Sequence, residues 1–247
     1  MARKQFVARV SDVQALHYVR TYEPRTPIET DEQWEKAQEW YPTEEKLLHE
    51  LKNGVPENDA MLIGTLGHKV LETSIVGDEH LYVTDDENKL GLYFGEVELT
   101  APFYLLKERR MFKTYQIGDT DFILTGQYDA KWNNRIIDYK FSASGDFETK
   151  YMDSFQWRAY LDLEGHADEF EYSVFETKWM SPNRRVGPKP SELGLNEDYQ
   201  NYTVAGHESY VCHRYPDLAQ HVRNHVEAFL AWSIDAGWKG RDLAQFK

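Results

Sequence analysis

Two aspartates and a lysine fall within one short stretch, residues 126–140, whose sequence is GQYDAKWNNRIIDYK. The Asn-Asn pair inside it suits a two-residue type I′ turn, because asparagine tolerates positive φ at both central positions. That turn fixes the register, so Asp129 faces Asp138 as a non-hydrogen-bonded pair and Lys140 points to the same face. Two facing carboxylates repel unless a cation lies between them. The stretch therefore predicts a divalent metal, with a lysine beside whatever the metal binds.

The two aspartates favour a cation that prefers oxygen ligands. Mg²⁺ and Mn²⁺ suit such sites, because they keep several waters and share phosphate oxygens with a substrate. The pattern leaves an alternative open, in which both aspartates are surface acids bonded to Lys131 or Arg135. The other face of the hairpin is predicted to be a core face formed by Tyr128, Ala130, Ile137, Tyr139 and Phe141.

Helical patterns on either side of this stretch carry further polar residues. The helix predicted upstream places His68 and Glu72 one turn apart beside an apolar stripe. The helix predicted downstream places Gln156 and Tyr160 one turn apart on a single face. A structural histidine and ordinary amphipathic packing explain the same spacings, so the pattern alone does not decide between structure and function.

Taken together, these motifs resemble the PD-(D/E)XK nuclease superfamily. Asp129, followed by the Asp-Tyr-Lys triplet at 138–140, is similar to the core motif of that superfamily. Gly126, three residues earlier, resembles the Gly-x-x-Asp variant of the RecB-like branch. The segment GTLGHKVLE at 64–72 resembles the helix that brings a histidine to the metal in RecB-like and CRISPR-adaptation exonucleases. The segment QWRAY at 156–160 resembles the Gln-x-x-x-Tyr motif of the same branch.

The resemblance implies a metal site and a catalytic lysine. The implied ligands are His68, Asp129, Asp138 and the backbone carbonyl of Tyr139. Lys140 would position or deprotonate the attacking water, or stabilise the phosphate in the transition state.

The resemblance also suggests supporting residues around that core. Glu72 would support the histidine or add a ligand, and Glu108 stands where RecB-like nucleases often carry a glutamate. Gln156 and Tyr160 would border the cleft and touch the substrate backbone. Separately, the basic loop with Arg184 and Arg185 is a candidate for contacting DNA phosphates, although a plain solvated loop explains it too.

The implied fold is α/β, with a restriction-endonuclease-like core in which helices flank a central mixed sheet. The apolar patterns give the matching α-β-β-β-α-β order: helix 59–76, strands 109–117, 121–131 and 135–142, helix 147–163 and strand 169–179. A further strand is predicted at 94–99, after an acidic loop at 78–91. We expect a single nuclease domain over 1–247, with 1–58 as an N-terminal helical embellishment and 181–247 as a basic loop plus a C-terminal helix.

Composition narrows the function classes. The chain has 28 Lys+Arg against 42 Asp+Glu, a formal net charge of −14, which argues against a surface that grips nucleic acid everywhere. Its one cysteine, Cys212, cannot supply a four-cysteine iron–sulfur cluster, so the resemblance is to cluster-free members. No apolar run approaches the ~20 residues that span a bilayer, and no signal peptide is apparent. We expect no membrane association and a cytoplasmic protein, in the host cytoplasm if it is phage-encoded.

The sequence thus predicts a metal-dependent DNA exonuclease of recombination, repair or replication, similar to small exonucleases of bacteriophages. No Walker-type loop is present, so unwinding would need a partner, with a helicase, annealing or recombination protein as candidates. Two alternatives stay open. One is a structure-specific endonuclease of the same fold, and the other is a non-catalytic DNA-binding module that retains the fold.

Overall fold

The structure is a computed structural model, and it describes residues 3–24, 26–73, 81–95, 97, 106–143, 147–181 and 188–246. In chain order the strands are β1 Lys4–Arg9, β2 Tyr82–Asp85, β3 Leu90–Tyr93, β4 Leu106–Ile117, β5 Thr120–Trp132, β6 Arg135–Ser142, β7 Glu169–Trp179 and β8 Gln200–His213. The helices are α1 Val10–Thr21, α2 Asp31–Ala37, α3 Glu44–Asn53, α4 Asp59–Thr73, α5 Phe147–Met152, α6 Phe155–Glu164 and α7 Leu218–Asp235. Short 3₁₀ turns lie at Pro190–Leu193 and Leu243–Phe246.

All eight strands belong to one mixed sheet, in the order β1-β5-β6-β7-β8-β3-β2, with β4 paired to β5 outside that path. Strands β1 and β5 are parallel, as are β6 and β7, whereas β4–β5 and β5–β6 are antiparallel. Helices α5 and α6 make the crossover between the parallel strands β6 and β7. The elements α4, β4, β5, β6, α5–α6 and β7 follow the predicted α-β-β-β-α-β order, which confirms the expected α/β fold class.

Helices cover both faces of the sheet, and each face has its own apolar core. The larger core packs α1, α6 and α7 onto one face and buries residues such as Phe122, Tyr128, Phe170 and Phe229. The smaller core lies under α4, where Ile63, Leu66 and Val70 meet β3 and β7. The candidate residues Asp129, Asp138 and Lys140 therefore lie on a sheet that is packed by helices from both sides. Within the described ranges, no helix is long and apolar enough to cross a membrane.

The predicted terminal embellishments are partly wrong. Segment 1–58 is more than helical, because β1 is a strand of the main sheet and α1 buries Val10, Val13 and Leu16 in the larger core. Segment 181–247 contains the long strand β8 as well as a helix. The outward side chains of β8 are mostly polar, so its apolar alternation is too weak to read from sequence.

The region before β4 also differs from the prediction. The stretch 78–91, expected to be a loop, contains β2 and the start of β3. Of the strand expected at 94–99, residues 96, 98 and 99 lie outside the described part, and 94, 95 and 97 are not in a strand. Strand β3 lies earlier, at Leu90–Tyr93, where it pairs in parallel with β8. Its partner comes more than a hundred residues later in the chain, so no local pattern announces the pairing.

The central hairpin follows the predicted register only near its turn. Three pairs form as expected, Trp132 with Arg135, Lys131 with Ile136 and Ala130 with Ile137. Of the two turn residues only Asn133 has positive φ, at 54°, so the turn is not type I′. The paired register ends before Asp129 and Asp138. The expected single core face is also wrong, because Tyr128 belongs to the larger core whereas Tyr139 and Phe141 pack against the smaller one.

Candidate active site

The site lies where β5 changes partners along one edge. On that edge β1 pairs with β5 residues 120–125, and β6 pairs with residues 130–132. The four residues between them, Gly126 to Asp129, have no strand partner there among the described strands. Instead of bonding to a β5 carbonyl, the Tyr139 amide donates to Asp129 Oδ2 at 2.7 Å. The chain thus opens a cleft in the sheet where Asp129 enters from one strand and Asp138 from the next.

Asp138 is the most buried of the predicted site residues and has one incompletely satisfied oxygen. Asp138 is only 3% exposed, and Gln156 Nε2 donates to its Oδ1 at 3.0 Å. Lys140 Nζ lies 2.6 Å from Oδ2 as an ion pair. Among the described residues, this ammonium is the one group that balances the charge on Oδ2. A buried carboxylate oxygen held by a single ammonium and lying beside a second carboxyl is suited to sharing a cation.

Helix α4 brings His68 to the carboxylates, and a glycine makes that possible. A Cβ on Gly67 would lie 2.1 Å from the Phe141 ring, so only glycine lets α4 approach β6 this closely. His68 Nδ1 then lies 3.5 Å from Asp129 Oδ1. Burial lowers the pKa of His68, although Asp138 raises it in part. A neutral imidazole next to a carboxylate is the form that binds a metal.

The electrostatics of the site are unfavourable without an added positive charge. Burial raises the pKa of Asp129, and the nearby charge of Asp138 raises it further, against the opposing effects of Lys140 and the Tyr139 amide. Burial alone would lower the pKa of Lys140, but its ion pair with Asp138 outweighs this, and the net pKa is raised. The lysine is therefore held as an ammonium, whereas the raised pKa of Asp129 means that this carboxyl favours its protonated form until a further positive charge enters the site.

The Gln-x-x-x-Tyr segment bonds the strands that carry the aspartates. Helix α6 begins after Ser154, whose side chain accepts from the Gln156 amide and so orients the residue that bonds Asp138. Tyr160 is buried, and its hydroxyl donates to the Gln127 carbonyl at 2.7 Å, in the part of β5 that lacks a partner on this edge among the described strands. Substrate contact by Gln156 and Tyr160 stays a prediction, and in the structure both side chains are engaged with protein groups.

Gly126 has a packing role in the same arrangement. A Cβ at this position would lie 2.8 Å from the Tyr160 ring and 3.0 Å from the Val10 side chain. Glycine therefore lets α1 and α6 close onto β5 three residues before Asp129. The spacing of the Gly-x-x-Asp motif reflects this contact, with the aromatic ring over the glycine and the carboxylate in the cleft.

Glu108 reaches the site through a strained backbone. It lies between the pairs Lys107–Ala130 and Arg109–Tyr128, level with Asp129 on the neighbouring strand. Its φ is 38°, an uncommon value for a non-glycine residue within a strand. Its charge contributes to the raised pKa of Asp129, so the carboxylate is near the cleft. Strain of this kind concentrates at functional sites.

Strand β4 carries a group of cations that the sequence reading passed over. Lys107, Arg109 and Arg110 are exposed on either side of Glu108. The run Lys-Glu-Arg-Arg was visible in the sequence, and in a chain with net charge −14 it is a local exception. The predicted basic contacts Arg184 and Arg185 lie outside the described residues. Glu72 lies within α4, but its side chain also falls outside the described part.

The residues present fit a Mg²⁺ or Mn²⁺ ion, although they do not enclose one. Among the described side chains no three His, Cys, Asp or Glu are gathered into a ready cage. Mg²⁺ does not need one, because it is usually held by one or two carboxylates with waters and substrate phosphates completing the shell. Asp138 Oδ2, Asp129 and His68 supply that partial set.

Comparisons with known proteins came from three searches. No protein-family model matches the chain, and no curated protein matches it. Among solved structures, the protein SSO0001 is 13% identical over 94% of this chain and 78% of its own, with a TM-score of 0.45. A phage-related exonuclease from Haemophilus somnus 129PT is 12% identical over 89% and 91%, with a TM-score of 0.41. LHK-Exo, solved with dAMP, is 12% identical over 100% and 95%, with a TM-score of 0.34. These TM-scores lie below 0.5, so the functional argument rests on the geometry of the site.

Proposed function

We propose that this chain is a metal-dependent nuclease that hydrolyses phosphodiester bonds in DNA. The observation that carries the proposal is the buried pair of carboxyls Asp138 and Asp129, with the charged Lys140 at 2.6 Å from Asp138 Oδ2 and His68 at 3.5 Å from Asp129 Oδ1. A buried carboxylate pair with an adjacent ammonium costs the fold stability. The same groups can hold a divalent cation and stabilise charge on a phosphate, which phosphoryl transfer requires.

In this proposal some side chains bind the metal ion and Lys140 stabilises negative charge on the phosphate. Asp129, Asp138, His68 and the Tyr139 carbonyl would hold Mg²⁺ or Mn²⁺, with Glu108 adjoining. When bound, such an ion neutralises phosphate charge and lowers the pKa of water. Lys140 holds a proton beside the cleft, so its ammonium can stabilise the charge that develops on phosphate oxygens. Gln156 keeps Asp138 oriented through its 3.0 Å hydrogen bond.

The cations of β4 give the substrate phosphates a place to bind. They line the strand that carries Glu108, one strand away from Asp129. An otherwise acidic surface repels nucleic acid elsewhere, so binding would be concentrated at this edge. Recombination, repair or replication are the proposed settings. Unwinding would be left to a helicase, annealing or recombination partner, and the proposed compartment is the cytoplasm.

Exonuclease action is our preferred form of the activity, and one assay separates it from its alternatives. Labelled linear duplex, tailed duplex and circular single strand are each incubated with Mg²⁺ or Mn²⁺. An exonuclease degrades the linear substrates and spares the circle, whereas an endonuclease nicks the circle. A non-catalytic module cleaves none.

The matched variants decide whether this site is responsible. Asp138→Asn should abolish cleavage of every substrate. Asp119→Asn, which changes an acid whose side chain is 81% exposed, should cleave as the wild type does. Equal activity in both variants would remove the basis of the proposal.

A further inference from the structure

Five aromatic rings form a cluster on the surface beside α1 and α2. The aromatic cluster consists of Tyr18, Tyr22, Trp34, Trp40 and Tyr41. Its rings meet mainly edge-on, with centroids 5.3 Å apart for Tyr18–Tyr22 and 5.0 Å for Trp34–Tyr41. Three of them stay open to solvent, Tyr18 at 50%, Trp34 at 44% and Trp40 at 56% exposed. Each edge-to-face contact covers one face of only one of its two rings, and the exposed part of an aromatic ring is a surface on which a planar group can stack.

The backbone around the cluster is held by other contacts. Thr30 caps α2 and Thr43 caps α3, each accepting from a backbone amide. Lys46 Nζ donates to the Gln38, Glu39 and Tyr41 carbonyls that follow α2, at 2.5, 2.7 and 3.0 Å. These polar contacts fix the turn between the helices, so the exposed faces of the rings are not needed to hold it.

A cavity of about 1170 Å³ opens beside these rings. Tyr18, Tyr22 and Trp40 line it from one side, and Lys150 and Ser154 line it from α5 and the start of α6. Its volume exceeds the 300–1,000 Å³ typical of small-molecule sites, so it has room for an extended ligand.

The cavity adjoins the candidate active site through two successive hydrogen bonds. Gln14, which lines the cavity, accepts from the Gln156 amide and from Ser154 Oγ, each at 3.0 Å. The side chain of Gln156 in turn bonds Asp138. Lys150 also lines a second cavity of about 680 Å³, which includes Phe141 and Ser142 just after Lys140. The two cavities therefore share Lys150 as a lining residue, near the end of β6 that carries the catalytic candidates.

We propose that the aromatic cluster and its cavity bind unpaired bases of a nucleic-acid strand whose backbone runs on to Asp138. This deepens the proposed nuclease function and rests on it. The charged residues that line the cavity include both signs, Lys36 and Lys150 against Glu23 and Asp153, so phosphate attraction does not dominate there. Stacking suits such a neutral surface, because every base has a π-face. Paired bases are already stacked in a duplex, so the site selects single strands.

Binding of a fluorescent twelve-nucleotide oligothymidylate, measured in EDTA, tests the proposal without cleavage. Trp40→Ala should weaken binding roughly 5- to 150-fold, the range expected for losing one base–aromatic stack. Trp40→Phe should retain most of the affinity. Trp179→Ala is the matched control, because Trp179 is also 56% exposed but lies at a different cavity. An abasic oligomer of equal length should bind the wild type weakly and should not distinguish it from Trp40→Ala.

The outcomes separate this inference from the nuclease proposal. Unchanged oligothymidylate binding by Trp40→Ala, or an equal loss for the abasic oligomer, overturns the base-binding site even if Asp138→Asn abolishes cleavage. A loss confined to Trp40→Ala and to the base-containing oligomer supports the site. That result would support the base-binding site even if Asp138→Asn still cleaved DNA. Cleavage by Asp138→Asn would refute only the nuclease proposal as it is assigned to Asp138.

Discussion

Three buried aspartates in this molecule differ in how fully their oxygens are bonded. Asp12 is 3% exposed, and Arg241 contacts both its oxygens at 2.6 and 2.7 Å. Asp162 is 5% exposed, with Lys113 at 2.7 Å from one oxygen and the Tyr115 hydroxyl at 2.5 Å from the other. Asp138 is as buried as Asp12, yet its Oδ2 is held among the described residues only by the Lys140 ammonium at 2.6 Å, and the carboxyl of Asp129 lies close enough for the two charges to interact. We propose that Asp12 and Asp162 hold the fold, whereas Asp138 is held for a ligand.

The two kinds of acid have opposite consequences for stability. A buried carboxylate with every oxygen bonded recovers much of its desolvation cost, and removing it strands its partner. A buried carboxylate beside a second carboxyl recovers less, because the two groups repel, so the fold keeps it at a cost in stability. Mutations in the two groups should therefore separate loss of activity from loss of stability.

The largest effect should come from Asp138→Asn. We expect cleavage to fall roughly 10³-fold, because the change removes a negative ligand from a preorganised electrostatic site. The melting temperature should change little, since the amide keeps the shape and the Gln156 contact, and the relief of repulsion from Asp129 offsets the lost ion pair with Lys140. Cleavage rates and thermal melts on the same preparation give both readings. Retention of more than a few per cent of wild-type activity would place Asp138 with the structural acids.

Asp12→Ala should show the reverse pattern. The change leaves the Arg241 guanidinium, itself mostly buried, without its carboxylate, and we expect a loss of roughly 3 kcal/mol in the free energy of unfolding. Cleavage per folded molecule should be retained at a temperature well below the melt. Urea unfolding and activity at low temperature check the two parts, and a specific loss of activity in folded protein would contradict the comparison.

Metal binding should sharpen the contrast through thermal stability. An ion that binds only the folded site stabilises it by about 2.7 kcal/mol when present at 100 times its dissociation constant. Mg²⁺ or Mn²⁺ should therefore raise the melting temperature of the wild type and of Asp119→Asn. The double variant Asp129→Asn/Asp138→Asn should not respond. An equal shift in all three proteins would mean that the ion acts elsewhere.

The sequence predicts the parts of this site that depend on local geometry. The three pairs next to the Asn-Asn turn follow from the turn alone, and the order of elements follows from hydrophobic periodicity. The opening at Asp129 does not follow from local geometry. It arises because β1 pairs with the first part of one edge of β5, and β6 pairs with a later part of the same edge. Strand β1 begins near the N-terminus and pairs with residues from Thr120 onward, a contact that no local pattern encodes.

The structural acids were equally invisible in the sequence. Asp12 is bonded by Arg241 at the far end of the chain, and Asp162 by side chains of β4. From the sequence the two glycines could be identified only as motif positions. In the structure each makes room for an aromatic ring, Phe141 against Gly67 and Tyr160 against Gly126. Motif spacing therefore grouped residues that the structure brings close together, His68 with Asp129 and Lys140 with Asp138. It could not show that Tyr160 is buried with its hydroxyl on the Gln127 carbonyl.

The smallest expected effect distinguishes His68 from the carboxylates. An imidazole is a better ligand for Mn²⁺ than for Mg²⁺, which prefers oxygen. His68→Ala should therefore raise the Mn²⁺ concentration needed for half-maximal cleavage roughly 10-fold, and the Mg²⁺ requirement less. Helix α4 should persist, because alanine is the strongest helix former and Gly67 still permits the contact with Phe141. His49→Ala is a suitable control, since this exposed histidine also lies on a helix, α3. Separate titrations of both ions against the three proteins give the answer. An unchanged Mn²⁺ requirement would make His68 a structural neighbour of Asp129, leaving the metal to the two carboxylates and the Tyr139 carbonyl.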